Sequence, residues 1–322
     1  MRQTEERYIS LLTDFGFKRI FGSDINKDLL IDFLNSLFNG EQVVKNVTYL
    51  NSEHVGDVYA ERKAIFDVYC ENEHGEKFIV EMQNAYQTYF KDRSLYYATF
   101  PIREQAPKGD NWNFKLQHVY VVALLNYEMS DEAFSHESIN HDVGLLDKQT
   151  HKVFNNKLTF KYVEIARFNK DINELETNFD KWLYVLRNLS RLDNQPTYLR
   201  NEVFNRLFSQ AEIARFDKKE LKAYEDSLKA YRDIKNSLDT AKEEGRAEGL
   251  AEGRAEGHAE GLAEGLAEGR AKGHAEGLAE GASEKALTIA RELLAMNMSI
   301  DNIKKVTRLT DDEIHNLSNT SL

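Results

Sequence analysis

The stretch AIFDVYCENEHGEKFIVEMQN, residues 64–84, decides the fold. Two runs with the alternation typical of β-strands flank a polar segment that contains a glycine, which predicts an antiparallel hairpin turning near His74. Residues that pair in such a hairpin share a face. One face then carries three pairs: Asp67 with Glu81, Tyr69 with Ile79, and Ile65 with Gln83. The other face is apolar and suits a core: Phe66, Val68, Cys70, Phe78, Val80 and Met82.

Asp67 and Glu81 are the residues of this hairpin that can carry chemistry. Placed opposite one another, with Cβ atoms about 5 Å apart, two carboxylates repel unless a cation lies between them or one keeps its proton. Carboxylate oxygens completed by water and phosphate oxygens are the ligands that Mg²⁺ prefers. The pairing therefore predicts a Mg²⁺ site, with Mn²⁺ as a substitute. The alternative, from spacing alone, is two solvated carboxylates on the exposed side of a half-buried hairpin.

The sequence around the hairpin predicts an α/β core followed by helices. Further β-rich runs at 118–125 and 159–165, with helical stretches before and between the strands, extend the core over residues 1–176. Residues 177–243 have apolar side chains at three- and four-residue steps and then a charged run, which predicts a helical annex.

Residues 244–283 consist of ten tetrapeptides, most of the form EGxA, which hold ten of the 17 glycines in the chain. Alanine and glutamate favour a helix, but each glycine costs about 1 kcal/mol relative to alanine. A repeat of four residues exceeds the 3.6 residues of a helical turn, so helices packed along the glycine stripe would twist right-handedly. We predict a long helical spacer. The alternatives are disorder and a stem through which the chain forms a homo-oligomer.

Residues 284–322 predict a small helical tail. The pattern indicates an amphipathic helix to Met296, a second over Ile300–Thr307 with Ser299 as its N-cap, and a last turn capped by Thr310. Residues 285–317 hold five basic and five acidic side chains. The signal for DNA binding is therefore weak, and a role in protein interaction or capping is at least as well supported.

Composition excludes several classes of protein. The 322 residues carry 42 basic and 54 acidic side chains, a net charge of −12, which excludes a generally basic nucleic-acid coat protein. The single cysteine, Cys70, cannot form an internal disulfide, and no Cys/His cluster has zinc-finger spacing. The N-terminus lacks an apolar signal core, and the longest apolar run, Val119–Leu125, is far shorter than the roughly 20 residues of a membrane span. We expect a cytoplasmic protein.

Five segments carry a resemblance to a known family: TDFGFKRIFG (13–22), FDVYC (66–70), IVEMQ (79–83), DRSLYYAT (92–99), and KAYEDSLKAYRDIKNSLDTAKEEGRAEG leading into the repeat. Together they resemble the Rpn family of recombination-promoting nucleases, also described as transposases, within the PD-(D/E)XK superfamily. The resemblance covers most of the chain. It implies a restriction-endonuclease-like α/β core, a mixed sheet flanked by helices, to which the annex, the long repeat helix and the tail are added.

The resemblance also implies roles for single residues. In the superfamily an Asp and a Glu bind the metal, and the residue two after that Glu, commonly lysine, positions or activates the attacking water. These positions are Asp67, Glu81 and Gln83, and the Met82 backbone carbonyl is a further metal ligand. Glutamine cannot act as a base, but it can orient a water by donating and accepting hydrogen bonds. Family members resemble this sequence in having glutamine there, so we interpret Gln83 as a variant of the motif.

Four side chains outside the hairpin are predicted to assist. Asp14 resembles the acidic residue that the first helix of the superfamily often adds to the metal site; the alternative is an N-cap or a surface charge. Lys18, one turn later, would face the same cleft and meet a phosphate, and the alternative is a solvated helix lysine. Arg93 and Tyr97, four residues apart on a predicted helix, would line the groove beside Gln83.

The sequence and the resemblance together predict a metal-dependent DNA endonuclease that acts in recombination or transposition, with DNA as its partner. The acidic net charge is compatible with this function because a catalytic groove needs only a local positive field. Two alternatives remain. One is a non-catalytic interaction protein built on a relic nuclease scaffold, and the other is a DNA-binding regulator that works through the tail.

Overall fold

The computed structural model describes residues 6–54, 64–106, 112–129, 134–135 and 137–319. The chain forms two compact units, Met1–Thr240 and Ala241–Leu322. All strands of the described ranges belong to the first unit.

A six-stranded mixed sheet forms the centre of the first unit. In spatial order its strands are β1 (Val47–Tyr49), β4 (Val68–Asn72), β5 (Lys77–Gln83), β6 (Val119–Leu125), β8 (Val153–Glu164) and β7 (Asn140–Leu146). Strands β5, β6 and β8 run parallel, and the other neighbours are antiparallel. Two short strands, β2 (Glu53–His54) and β3 (Ala64–Ile65), pair outside this sheet. The sheet and its parallel centre agree with the predicted α/β fold, although the sequence analysis did not predict the edge strands β1 and β7.

The predicted hairpin is confirmed in the expected register. Strands β4 and β5 pair Tyr69 with Ile79, and the other pairs of the ladder follow the same register. Gly75 in the turn has a φ of +75°, a conformation that glycine adopts without steric cost. The Asn72 side chain accepts a hydrogen bond from the Glu76 amide at 3.0 Å. Turn chemistry and alternation therefore act together to fix this register.

The first strand of the hairpin is shorter than predicted. The chain bends at Asp67, and Ile65 pairs with Glu53 of β2. The predicted pair of Ile65 with Gln83 is therefore wrong. Because the bend interrupts the alternation, Phe66 lies in the core on the opposite side of the sheet from the rest of the predicted apolar set.

Helices cover both faces of the sheet. The helices are α1 (Asp14–Phe21), α2 (Lys27–Phe38), α4 (Asn178–Asn188) and α5 (Glu202–Ala211) on one face, and α3 (Phe90–Glu104) on the other. The larger core joins Phe17 of α1, Phe33 of α2, Phe78 of β5 and Trp182 of α4. Helices α4 and α5 therefore share one core with the sheet.

The repeat is helical throughout. Helix α6 spans Lys218–Ala295 and contains all ten tetrapeptides, whose residues are exposed. The predicted long repeat helix is confirmed. The first helix of the predicted tail is not separate, because it continues α6 without a break. Within the described ranges, no helix combines the length and the apolar character needed to span a membrane.

The second unit ends in α7 (Ile300–Thr307) and α8 (Asp311–Asn319), with Ser299 at the N-cap position of α7. These helices and the end of α6 enclose a small core of five buried residues: Ala290, Ile303, Leu309, Ile314 and Leu317. The predicted bounds of α7 are confirmed.

Candidate active site

The bend before β4 brings Asp67 against Glu81 of β5. Because the ladder of β4 and β5 ends at Val68, the Asp67 amide is free of strand pairing, and it donates a hydrogen bond to Glu81 Oε1 at 3.2 Å. In return, the Met82 amide donates to Asp67 Oδ2 at 2.9 Å. Each carboxylate is thus held by the backbone next to the other, and both acidic groups lie in one site.

Burial sets the charge state of this pair. Glu81 is 3% exposed, so it is not a solvated surface carboxylate. Burial, and next the charge of Asp67, raises the pKa of Glu81 to about 8. Burial also raises the pKa of Asp67, whose side chain is 22% exposed. Because two ionised carboxylates are costly in such a place, the pair near neutral pH keeps a proton or needs a nearby cation.

Helix α1 brings an acid and a base to the same place. Thr13 caps this helix, since its side chain accepts a hydrogen bond from the Gly16 amide, so Asp14 is not the N-cap. Lys18 Nζ lies 2.7 Å from Asp14 Oδ1 and 3.9 Å from Asp67 Oδ1. Lys18 therefore has carboxylate partners and is not simply a solvated lysine. It links Asp14, whose side chain is 65% exposed, to the pair of Asp67 and Glu81.

Helix α3 closes the other side of the site. Arg93 Nη2 donates to Glu81 Oε2 at 3.3 Å, and Gln83 Nε2 donates to the same oxygen at 3.1 Å. The Arg93 guanidinium lies 5.1 Å from the centre of the Tyr97 ring, a distance typical of a cation–π contact. The predicted neighbours Gln83, Arg93 and Tyr97 are thus gathered around Glu81.

The donor set suits a hard divalent cation. Carboxylate oxygens are the preferred ligands of Mg²⁺, and the raised pKa of Glu81 reflects a surplus of buried negative charge that a cation would relieve. Within the described residues, no three His, Cys, Asp or Glu side chains converge as a complete metal centre. The contribution of the Met82 carbonyl stays a prediction.

Two buried polar atoms, one on Arg93 and one on the nearby Tyr127, lack a hydrogen-bond partner among the described residues. Within the described part of the chain, the buried Nε of Arg93 and the buried hydroxyl of Tyr127 have no hydrogen-bond partner. Buried polar groups are normally paired. Arg93 borders the candidate site, and Tyr127 beside it was not predicted from the sequence.

Two asparagines at strand ends, Asn84 and Asn126, were not predicted from the sequence. Asn84 follows the last residue of β5, and Asn126 follows the last residue of β6. The Asn126 amide donates to the Gln83 carbonyl oxygen at 2.8 Å. Ligands of open α/β sheets bind beyond the carboxyl ends of parallel strands, so an asparagine directly after each of two buried strands was the signal that could have found them.

A second buried carboxylate ends strand β8. Glu164 is fully buried, accepts a hydrogen bond from Arg167 Nε at 2.7 Å, and lies with Oε2 3.1 Å from His141 Nε2. The Met129 amide donates to its other oxygen. With all these partners Glu164 ties β7 and the chain after β8 to the sheet, which is a structural role.

Comparison with protein families gives two matches. A model described as PD-(D/E)XK nuclease family transposase matches residues 11–241, which is more than half of the chain. A model described as Rpn/YhgA-like nuclease family, C-terminal HTH domain, matches residues 283–319. The chain has no significant match among curated proteins or among solved structures.

Proposed function

The chain belongs to the PD-(D/E)XK nuclease family of transposases, and on this basis we propose that it is a metal-dependent endonuclease that hydrolyses DNA phosphodiester bonds in recombination or transposition. The observation that carries the proposal is the buried pair of Asp67 and Glu81, whose carboxylates are held in one site with cationic side chains on either side. Two carboxylates held side by side, of which Glu81 is buried with its pKa raised to about 8, favour a catalytic site over a scaffold.

Asp67 and Glu81 would hold the cation, Mg²⁺ with Mn²⁺ as a substitute, and water and phosphate oxygens would complete its coordination. Asp14, which pairs with Lys18 and does not converge with the other two carboxylates among the described residues, and the Met82 carbonyl are the further ligands that the resemblance implies. When bound, the ion supplies a water of lowered pKa and a positive charge beside the phosphate. Glu81 must lose its proton to act as a ligand, so we expect the cation to bind more tightly as the pH rises towards 8.

Gln83 would orient the attacking water. Its Nε2 donates to Glu81 Oε2, which leaves the carbonyl oxygen Oε1 to accept a hydrogen bond from that water. An amide takes up no proton, so the proton of the water passes to solvent or to a phosphate oxygen. Lys18 and Arg93 would contact the non-bridging oxygens of the phosphate, since both are cations that the site already holds beside its carboxylates.

The C-terminal helices would contribute to DNA binding. Residues 283–319 match a helix-turn-helix domain, and they enclose a small core of their own. Residues 285–317 carry equal numbers of basic and acidic side chains, so we expect modest affinity that falls as the salt concentration rises.

Cleavage of supercoiled plasmid by the full chain tests the proposal, with Mg²⁺, Mn²⁺ or EDTA and with folding checked by circular dichroism. We expect metal-dependent nicking or linearisation that falls by at least 10²- to 10³-fold, on the order expected for loss of a catalytic group, in Asp67→Ala and in Glu81→Ala. Glu225→Ala, which removes an exposed carboxylate from α6, is the matched control and should cleave like the wild type.

Each other outcome identifies an alternative. If the folded wild type does not cleave DNA under any metal condition, the chain is an interaction protein on a relic scaffold, or a DNA-binding regulator where DNA binding depends on residues 284–322. If cleavage persists in both alanine variants, the active site lies elsewhere in the chain.

A further inference from the structure

A cavity of about 310 Å³ opens beside the candidate active site, at the carboxyl edge of the parallel strands. Asn84 and Asn126 line it, and Asn84 directly follows Gln83, so their Cα atoms are about 3.8 Å apart. Asn84 is fixed because its Nδ2 donates to the Leu12 carbonyl oxygen at 2.7 Å. Asp67, Glu81 and Gln83 are not among the described lining residues, but Asn84 and Leu12 place the cavity next in the chain to the end of β5 and to the start of α1.

The cavity is lined by an excess of positive charge. Arg187, Arg191 and Lys235 are the cations, and Asp239 is the one carboxylate among the described lining residues. Arg191 and Lys235 are exposed, and neither forms an ion pair with another described residue. Lys18 and Arg93, by contrast, already contact carboxylates. Three cations against one carboxylate give the described lining a net charge of +2, which favours an anionic ligand.

Hydrogen bonds in the wall of the cavity fix the position of one cation, Arg187, and leave the Asn126 side chain able to turn. Arg187 Nη1 donates to the carbonyl oxygens of Ala166, at 3.0 Å, and of Phe168, so its guanidinium is fixed without being neutralised by a carboxylate of the described chain. Asn126 Nδ2 has only long contacts, 3.3 Å to Asn84 Oδ1 and 3.5 Å to the Tyr231 hydroxyl. This amide can therefore turn to donate a stronger hydrogen bond to a ligand oxygen.

We propose that this cavity binds a backbone phosphate of the DNA strand, adjacent to the phosphate that is cleaved. Arg191 and Lys235 neutralise the phosphodiester, and Asn126 donates to one of its oxygens. An arginine fork and a lysine charge are the usual partners of such a group. The cavity thereby sets the position of the strand over Asp67 and Glu81. The inference rests on the proposed function, because it takes the strand to be DNA cut at that site.

The first test measures whether DNA protects Lys235 in the cavity from a chemical reagent. In lysine footprinting of the full chain, an acetylating reagent is applied with and without duplex DNA in EDTA, and labelled peptides are quantified by mass spectrometry. We expect DNA to reduce the labelling of Lys235 about tenfold, a scale expected of a charged hydrogen bond. Lys222 and Lys229 are exposed lysines of the same helix outside the cavity and should be labelled equally in both samples. Equal labelling of Lys235 would overturn the proposal.

The second test separates positioning from chemistry. Arg191→Ala and Lys235→Ala should each raise the KM for DNA cleavage about tenfold, leave kcat unchanged, and make the log–log salt dependence of binding shallower by about 0.9. Arg200→Ala and Lys229→Ala, which remove exposed cations outside the cavity, should change none of these values. Variants that lose kcat alone, or that match the controls, would contradict a phosphate contact.

The two failures are distinguishable. Protection of Lys235 in a chain that does not cleave DNA would keep the phosphate site and reject the nuclease. Cleavage that requires Asp67 and Glu81, with Lys235 labelled equally with and without DNA, would keep the nuclease and reject the phosphate site. Protection by inorganic phosphate to the same extent as by DNA would assign the cavity to a free anion and overturn the strand-positioning role.

Discussion

The α/β unit and the repeat helix use the same two residue types, glycine and glutamate, in opposite surroundings. A Cβ atom added at Gly16 of α1 would lie 2.1 Å from the Ser10 carbonyl oxygen, whereas at every repeat glycine nothing lies within 4 Å. Glu81 is buried and accepts hydrogen bonds from three donors, whereas the repeat glutamates are exposed. The surroundings of a glycine or a glutamate, and not its residue type, therefore decide whether the position is constrained.

This contrast also explains why the net charge says little about the active site. Residues 244–284 carry ten glutamates against four basic residues, so they hold half of the net charge of −12. Exposed charges separated by more than roughly 8 to 10 Å are largely screened at physiological salt. Lys18 and Arg93, which contact these carboxylates directly, are the charges that act on Asp67 and Glu81 at close range.

Gly16→Ala is expected to have the largest effect on the stability of the first unit. The new methyl group would collide with the Ser10 carbonyl and would lie 2.9 Å from Thr13 Oγ1, the atom that caps α1. Both neighbours belong to the tight loop before the helix, so neither can move freely. We expect a loss of about 3 kcal/mol or more, which lowers the Tm of the first unit by roughly 6 to 12 °C, measured by thermal denaturation.

Gly261→Ala is the matched control, because a Cβ there meets open space. The Tm of this variant should not be lower than that of the wild type. If Gly16→Ala melted within about a degree of the wild type, the close packing of Ser10 against α1 would be wrong, and with it the placement of Asp14 and Lys18.

The next largest expected effect is the pH dependence of stability that Glu81 causes. Its pKa is raised in the folded state from 4.5 to about 8, so between these values the folded chain holds a proton that the unfolded chain has lost. Stability therefore falls as the pH rises from 4.5 through about 8. The substitution Glu81→Gln removes this loss of stability at higher pH, because glutamine does not ionise. Without metal, we expect its Tm to exceed that of the wild type by several degrees above pH 8, with the difference shrinking towards pH 5.

Glu260→Gln provides the comparison from the repeat, where the carboxylate is exposed. Its Tm should stay within a degree of the wild type at every pH. A Glu81→Gln variant that loses stability equally at low and high pH would mean that ionised Glu81 is well solvated or well paired, and the account of the buried pair would fail.

The hairpin shows how far the sequence could predict this site. Alternation and a glycine turn fixed the pairing of Tyr69 with Ile79 because both are local properties of the chain. The bend at Asp67 was not predicted, because alternation does not show that Ile65 pairs with Glu53, about a dozen residues earlier, and not with Gln83. That bend is also what frees the Asp67 amide to hold Glu81, so the predicted acids meet through a geometry that an ideal hairpin lacks.

The cation-lined cavity shows what the sequence could not predict. Asn84 and Asn126 follow two strands, but Arg191 and Lys235 lie more than a hundred residues after Asn84, after α4 and within α6. Only tertiary packing brings them together, because no local pattern relates Arg191, at the end of a short 3-10 helix, to a strand end. The repeat is the opposite case, since its helix follows from composition and period alone.

The smallest expected effect is on the stability of the repeat helix. It tests whether the row of repeat glycines is free of contacts with another chain. Replacing Gly257, Gly261 and Gly265 by alanine should stabilise the helix by up to about 1 kcal/mol at each position, because each Cβ enters open space. Hydrogen exchange of the full chain, followed by mass spectrometry, should show repeat amides exchanging about fivefold more slowly for each kcal/mol gained.

The opposite result would be equally informative. Alanine has the higher helix propensity, so exchange can become faster in the variant only if the added methyl groups collide with something in solution. That neighbour would be a second chain packed along the stripe, and the loss of protection would then depend on protein concentration. Slower exchange at all concentrations would leave the repeat as a spacer whose glycines lower its stability without making a contact.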